Sequence, residues 1–213
     1  MFIIKIKKHV LITYLGVIFG VISMLFAFTK IAFQETEYMS YSLIFLILAG
    51  ICDMFDGKIA RMCDRTEEEK QFGIQIDSLA DTVNFVVLPV VIMLALGMTS
   101  VIDAMVYVLF IICGISRLAV FNCNINADEV ITTYTGLPVT SVAMIYPLLG
   151  LLHRIVSQKI FENLSIAITL VVAILFVSNI KVPKFRKWAY IVAPICGVIV
   201  SILLLVVKRC IMF

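Results

Sequence analysis

Apolar stretches about as long as a lipid bilayer is thick recur along the whole chain, and no other feature restricts the fold as much. They run over residues 10–33, 41–62, 75–97, 101–122, 137–153, 163–180 and 188–207. About 20 residues of helix cross the hydrocarbon core, and in lipid a helix satisfies its own backbone hydrogen bonds. The sequence therefore predicts an all-α, polytopic membrane protein with seven spans. Composition agrees: 62% of the residues are apolar, 15% are charged and mean hydropathy is +1.12. A soluble domain has about 45–50% apolar and about 25% charged residues. A water-soluble globule, a disordered chain and a nucleic-acid binder are thereby excluded.

The first nine residues, MFIIKIKKH, are basic and lead into an apolar run too long for a signal-peptide core. That run reads as a retained first span. With the N-terminus inside, twelve of the seventeen Lys and Arg residues fall on the inner side, leaving Lys30, Arg154, Lys159, Lys208 and Arg209 outside. This bias predicts a cytoplasmic N-terminus and a cytoplasmic loop between Arg61 and Gly73. Pro138 and Pro147 interrupt the short fifth stretch, as buried spans tolerate. The six cysteines form no CxxC pair and read as small hydrophobes.

Chemistry concentrates in CDMFDGKIARMCDRTEEEKQFGIQIDSLADTVNF, residues 52–85. Asp53 and Asp56 lie three apart at the inner end of the second stretch; Asp77 and Asp81 lie four apart at the start of the third. Both spacings place a pair on one helix face. Ionisable groups at this depth are expensive and mark functional sites. Four carboxylates on two helices joined by a short loop converge only if cations offset their repulsion. Hard oxygen donors in this number suit Mg²⁺ or Mn²⁺. Gly57 and Ala60 extend the face of Asp53, and Gly73 precedes Asp77 by one turn. Small side chains there either admit a bulky ligand or serve as helix-packing notches. The run Glu67–Glu69 reads as a solvated loop.

The string Asp53-x2-Asp56-Gly57-x2-Ala60-Arg61-x11-Gly73-x3-Asp77-x3-Asp81 resembles the signature of the CDP-alcohol phosphatidyltransferases. The gap after Arg61 is eleven residues, longer than the family's usual loop. FGIQIDSLADTVNF with Pro89, GISRLAVFN (114–122), TGLPVT (135–140) and VSNIKVPKFRK (177–187) are similar to the branch of that family whose acceptor is serine. One departure is Gly16, which stands where that branch has an asparagine.

The resemblance implies a six-helix catalytic core over residues 1–187, with residues 188–213 adding a further transmembrane helix and a short tail. It implies transfer of the phosphatidyl group of CDP-diacylglycerol to L-serine with release of CMP, at a site facing the cytoplasm, in a homodimer embedded in membrane lipid. On the same grounds Asp53, Asp56, Asp77 and Asp81 would bind two Mg²⁺ or Mn²⁺ ions, with Asp81 also the general base. Asp53, Gly57, Ala60, Arg61 and Gly73 would line the CDP-lipid site.

The acceptor's carboxylate calls for a guanidinium or amide donors. Arg117, Asn84, Asn122 and Lys181 are the candidates. Each has a plainer role: Arg117 as an inner-face anchor, the asparagines as helix–helix hydrogen bonders, Lys181 as an interfacial cation. Neither His9 nor His153 begins a His-x-Lys pattern, which excludes the unrelated phosphohistidine-forming serine synthases. Other acceptor alcohols (glycerol phosphate, inositol phosphate, choline) remain alternatives. So does a divalent-metal transporter, although the aspartates cluster near one face and no inverted repeat is present.

Overall fold

The computed structural model of the chain describes residues 10–33, 36–124, 133–183 and 189–207. Its helices are α1 (Leu11–Phe33), α2 (Thr36–Ala60), α3 (Glu67–Asp81), α4 (Leu88–Ala95), α5 (Val101–Asn124), α6 (Val142–Leu152), α7 (Gln158–Val177) and α8 (Ala189–Val206). A π-helical turn, Thr82–Val87, joins α3 and α4 into one continuous rod. Each of the seven expected stretches thus has a helix at its centre. Leu11–Phe33, Glu67–Ala95, Val101–Cys123 and Gln158–Val177 are long and apolar enough to cross a membrane, and Val139–Leu152 and Tyr190–Val206 are shorter. At 1.5 Å of rise per residue, the two shorter helices fall below the roughly 30 Å of a hydrocarbon core. Large apolar side chains such as Leu25, Phe28, Met105 and Ile191 cover the outer faces of the bundle, as lipid contact requires.

Helix α1 packs on α2, and at Gly20 on Asn84 of the π turn, through a stripe of small residues. Thr13, Gly16, Gly20, Ser23 and Ala27 recur every three or four positions and are all buried, so the two backbones approach closely. Ser23 Oγ seals the contact by donating to the Ser42 carbonyl at 2.6 Å. The core lies between the rods, where Phe110 meets Tyr146 and Phe176 at ring distances of 6.1 and 5.4 Å.

The third rod begins at Glu67, eight residues before the apolar stretch does. Thr66 caps it reciprocally with Glu69: Glu69 N–H donates to Thr66 Oγ1 and Thr66 N–H to Glu69 Oε2, each at 3.3 Å. Glu67–Glu69 are therefore the first turn of a helix and not a loop. Negative charge at that end is favoured by the helix dipole, and Thr-x-x-Glu is itself a capping-box sequence. The π turn falls just before Pro89, where the ring removes a backbone donor; Leu88 N–H reaches back five residues to the Val83 carbonyl.

The ends of the bundle differ. At one end Lys30 donates to the Ala95 carbonyl, and Arg154 donates to the Leu204 and Val207 carbonyls and to Ser40 Oγ. These cations satisfy carbonyls left over at helix C-termini. At the other end a small antiparallel ribbon, β1 (Thr133–Thr135) with β2 (Lys181–Pro183), departs from the helical plan; Thr135 pairs with Lys181. Gly136 follows it with φ +78°, where a Cβ would lie 2.6 Å from the Phe176 carbonyl oxygen.

Candidate metal and anion site

All four aspartates meet near the end of the bundle that carries the ribbon. Asp53, Asp56 and Asp77 offer oxygens within 4.8 Å of one another. Asp81, buried on the next turn of α3, reaches the Asp53 carboxyl. The expected spacing thus delivers its two pairs to one place, Asp53 and Asp56 from α2 and Asp77 and Asp81 from α3. Bare anions this close repel one another strongly, so the arrangement suits a cation. All the donors are carboxylate oxygens, which fits Mg²⁺ or Mn²⁺ and not a thiophilic metal.

Glycine surroundings decide between a ligand cleft and packing notches. A Cβ at Gly50 would lie 2.4 Å from Ala143 Cβ, and one at Gly150 would lie 2.2 Å from Leu43 Cδ1. Those two are packing glycines. Gly57 and Gly73 differ: their nearest neighbours are Arg61 Nη1 at 3.6 Å and Arg65 Nη1 at 3.7 Å, with nothing else within 4 Å. Both glycines of the motif therefore open onto free space beside the carboxylates, and each is overlaid by a guanidinium. Ala60 ends α2, and Arg61 stands exposed just beyond it.

Two participants escape a reading by sequence alone. Thr13 on α1 donates its hydroxyl to Asp56 Oδ2 at 2.9 Å, both residues being buried. The partners are 43 positions apart, so no local pattern pairs them. Arg65 counts in the sequence as one loop cation among several.

The described acceptor candidates each make a contact of their own. Asn84, on the π turn, is 3% exposed and packs into α1, where a Cβ at Gly20 would fall 1.9 Å from its Oδ1. Gly16 lies 3.3 Å, measured from its would-be Cβ, from Cys52 Cβ. Any side chain at 16 would press on Cys52 there. Asn122 accepts from Ser78 Oγ at 2.8 Å, the helix–helix role. Arg117 is buried with its guanidinium 5.4 Å from the Phe121 ring centre. Lys181 is placed by its backbone on β2, and its side chain lies outside the described set, as do Lys184, Arg186 and Lys187.

The family model of the CDP-alcohol phosphatidyltransferases matches residues 10–199, from the start of α1 into α8. A CDP-diacylglycerol–serine O-phosphatidyltransferase of Saccharomyces cerevisiae is 34% identical over 132 residues, 58% of this chain and 46% of that protein. One from Helicobacter pylori is 33% identical over 162 residues, 73% of this chain and 66% of its own. An archaetidylserine synthase of Methanothermobacter thermautotrophicus is 29% identical over 143 residues, 66% and 57% of the two chains. The matched part spans between about half and two thirds of the length of these relatives.

Proposed function

Because the chain belongs to the CDP-alcohol phosphatidyltransferase family, a family generally dependent on divalent metal, we propose that it transfers the phosphatidyl group of CDP-diacylglycerol to L-serine, releasing CMP. The observation that carries this reading is the juxtaposition of three close carboxylates with two open glycines under guanidinium groups. Serine as acceptor rests on the relatives, whose names all specify serine transfer.

In this reading the serine hydroxyl oxygen attacks the lipid-bearing phosphorus in line. The bond from that phosphorus to the oxygen bridging to CMP breaks, and CMP leaves with the bridging oxygen. Asp53, Asp56 and Asp77 would hold Mg²⁺ or Mn²⁺, two ions in our assignment, supplying charge neutralisation at the diphosphate. Asp81 is the general base: it accepts the hydroxyl proton, for which it must lie within hydrogen-bond reach of that oxygen. Gly57, Ala60 and Gly73 leave room for the nucleotide, and Arg61 faces its phosphates. Arg117 is the acceptor-side cation. The site faces the cytoplasm and the protein works as a homodimer.

The test is purified protein in lipid with CDP-diacylglycerol, Mg²⁺ or Mn²⁺ and a panel of labelled alcohols. Serine should give the highest CMP release, chelator should abolish it, and either metal should restore it. Release with glycerol phosphate but not with serine would overturn the acceptor; full activity in excess chelator would overturn the metal site.

Thr13 adds a second expectation. A hydrogen bond from a neighbouring group orients a metal ligand, and its loss typically costs 10–100-fold in affinity or activity. Thr13→Val keeps the shape but removes the donor to Asp56. Mn²⁺ binding should weaken by roughly 10–100-fold, while Thr13→Ser stays near the parent. Equal Mn²⁺ affinity in the valine variant would reduce Thr13 to a packing residue.

A further inference from the structure

Arg65 lies in the lengthened loop between the two halves of the motif, immediately before the Thr66 cap of α3. Three acidic residues close by in sequence, Asp64, Glu68 and Glu69, are ready partners for a loop arginine. Among the described residues, however, Arg65 forms no ion pair and no side-chain hydrogen bond. Its half-buried side chain instead brings Nη1 to 3.7 Å from where a Gly73 side chain would begin. Gly73 precedes Asp77 by four residues, about 6 Å of helix rise. The guanidinium is therefore held about one turn from the carboxylate cluster, above an open glycine. Arg61 stands in the same relation to Gly57, the neighbour of Asp56.

A guanidinium in such a place can hold a tetrahedral oxyanion with two parallel hydrogen bonds. We infer that Arg65 is a substrate-binding residue whose guanidinium takes an oxyanion of the donor's diphosphate across the cleft from Arg61. This rests on the reading of the chain as a CDP-lipid transferase. The diphosphate is favoured over the acceptor's carboxylate because Arg65 lies on the loop side of the carboxylates, the side that Arg61 and both open glycines share. The Ser78–Asn122 contact instead joins α3 to α5, the helix that also carries Arg117 and Phe121.

The experiment uses the full chain, its Arg65→Ala and Arg65→Lys variants, and soluble CDP and CMP titrated in Mn²⁺. A hydrogen bond to a charged group supports an expected loss of about 10–100-fold in CDP affinity and a matching rise in KM for CDP-diacylglycerol in Arg65→Ala. CMP, lacking the distal phosphate, should lose less. Lysine should recover part of the loss, and Mn²⁺ binding and melting temperature should hold. Unchanged CDP affinity and KM would make Arg65 a solvated loop cation and overturn the inference. A rise confined to the serine KM would overturn the donor assignment and give the residue to the acceptor carboxylate. Were the parent chain neither to bind CDP nor to release CMP, the reading of the whole site would fall, a result distinct from an active parent with a silent Arg65 variant.

Discussion

Asp81→Asn should lower turnover by about 10²–10⁴-fold, the usual worth of a general base, while Mn²⁺ and CDP still bind. The geometry separates this carboxylate from its neighbours. Asp53, Asp56 and Asp77 form the close trio, and Asp81, one turn further along α3, joins it through a hydrogen bond with Asp53. Asparagine preserves size and one oxygen but cannot accept the proton. Asp56→Asn should behave differently, losing metal and nucleotide affinity together because it removes a charge from the trio itself. Mn²⁺ titration beside single-turnover CMP release resolves the two variants. If Asp81→Asn loses Mn²⁺ as severely as Asp56→Asn does, Asp81 is a ligand first and the proton acceptor lies elsewhere.

Gly57→Leu is expected to leave a folded protein that has lost activity on the order of 100-fold, the scale on which a misplaced substrate slows a reaction. The added side chain would enter the space beside Asp56, where only the Arg61 guanidinium approaches within 4 Å. That group ends a flexible side chain and can move. Gly50→Leu should do the opposite and fail to accumulate as folded protein, because Ala143 already sits 2.4 Å from the first added carbon. Detergent size-exclusion profiles and thermal melts report folding, and CMP release reports activity. A Gly57→Leu variant that aggregates as Gly50→Leu does would identify Gly57 as a packing glycine and close the cleft.

The carboxylate cluster was legible in the sequence because spacings of three and four have only one meaning on a helix, and charge in an apolar run has few innocent explanations. The start of α3 was hidden behind hydropathy. Three consecutive glutamates dominate any average over that stretch, although the Thr66–Glu69 cap marks the helix start without ambiguity. The Thr133–Thr135 and Lys181–Pro183 ribbon and the Thr13–Asp56 bond join residues remote in sequence, which periodicity does not see. The glycines are the plainest case. Gly50, Gly57, Gly73 and Gly150 are the same letter in similar surroundings, and only the positions of Ala143, Leu43, Arg61 and Arg65 tell packing from vacancy.

The bond from Thr13 to Asp56 has a mechanical side. Helix α1 is also held to α2 by the glycine–serine stripe and by the rings of Phe19 and Phe26 against Tyr38, Tyr41 and Phe45, contacts that together set its register. One residue of axial slip moves a helix 1.5 Å, enough to carry the Thr13 hydroxyl from 2.9 Å beyond hydrogen-bonding range. A spanning helix meets a thinner or thicker bilayer by tilting, and a tilt of α1 against α2 displaces its end in the same manner. The first helix thereby gears its own position against α2 to that of one carboxylate in the acidic site.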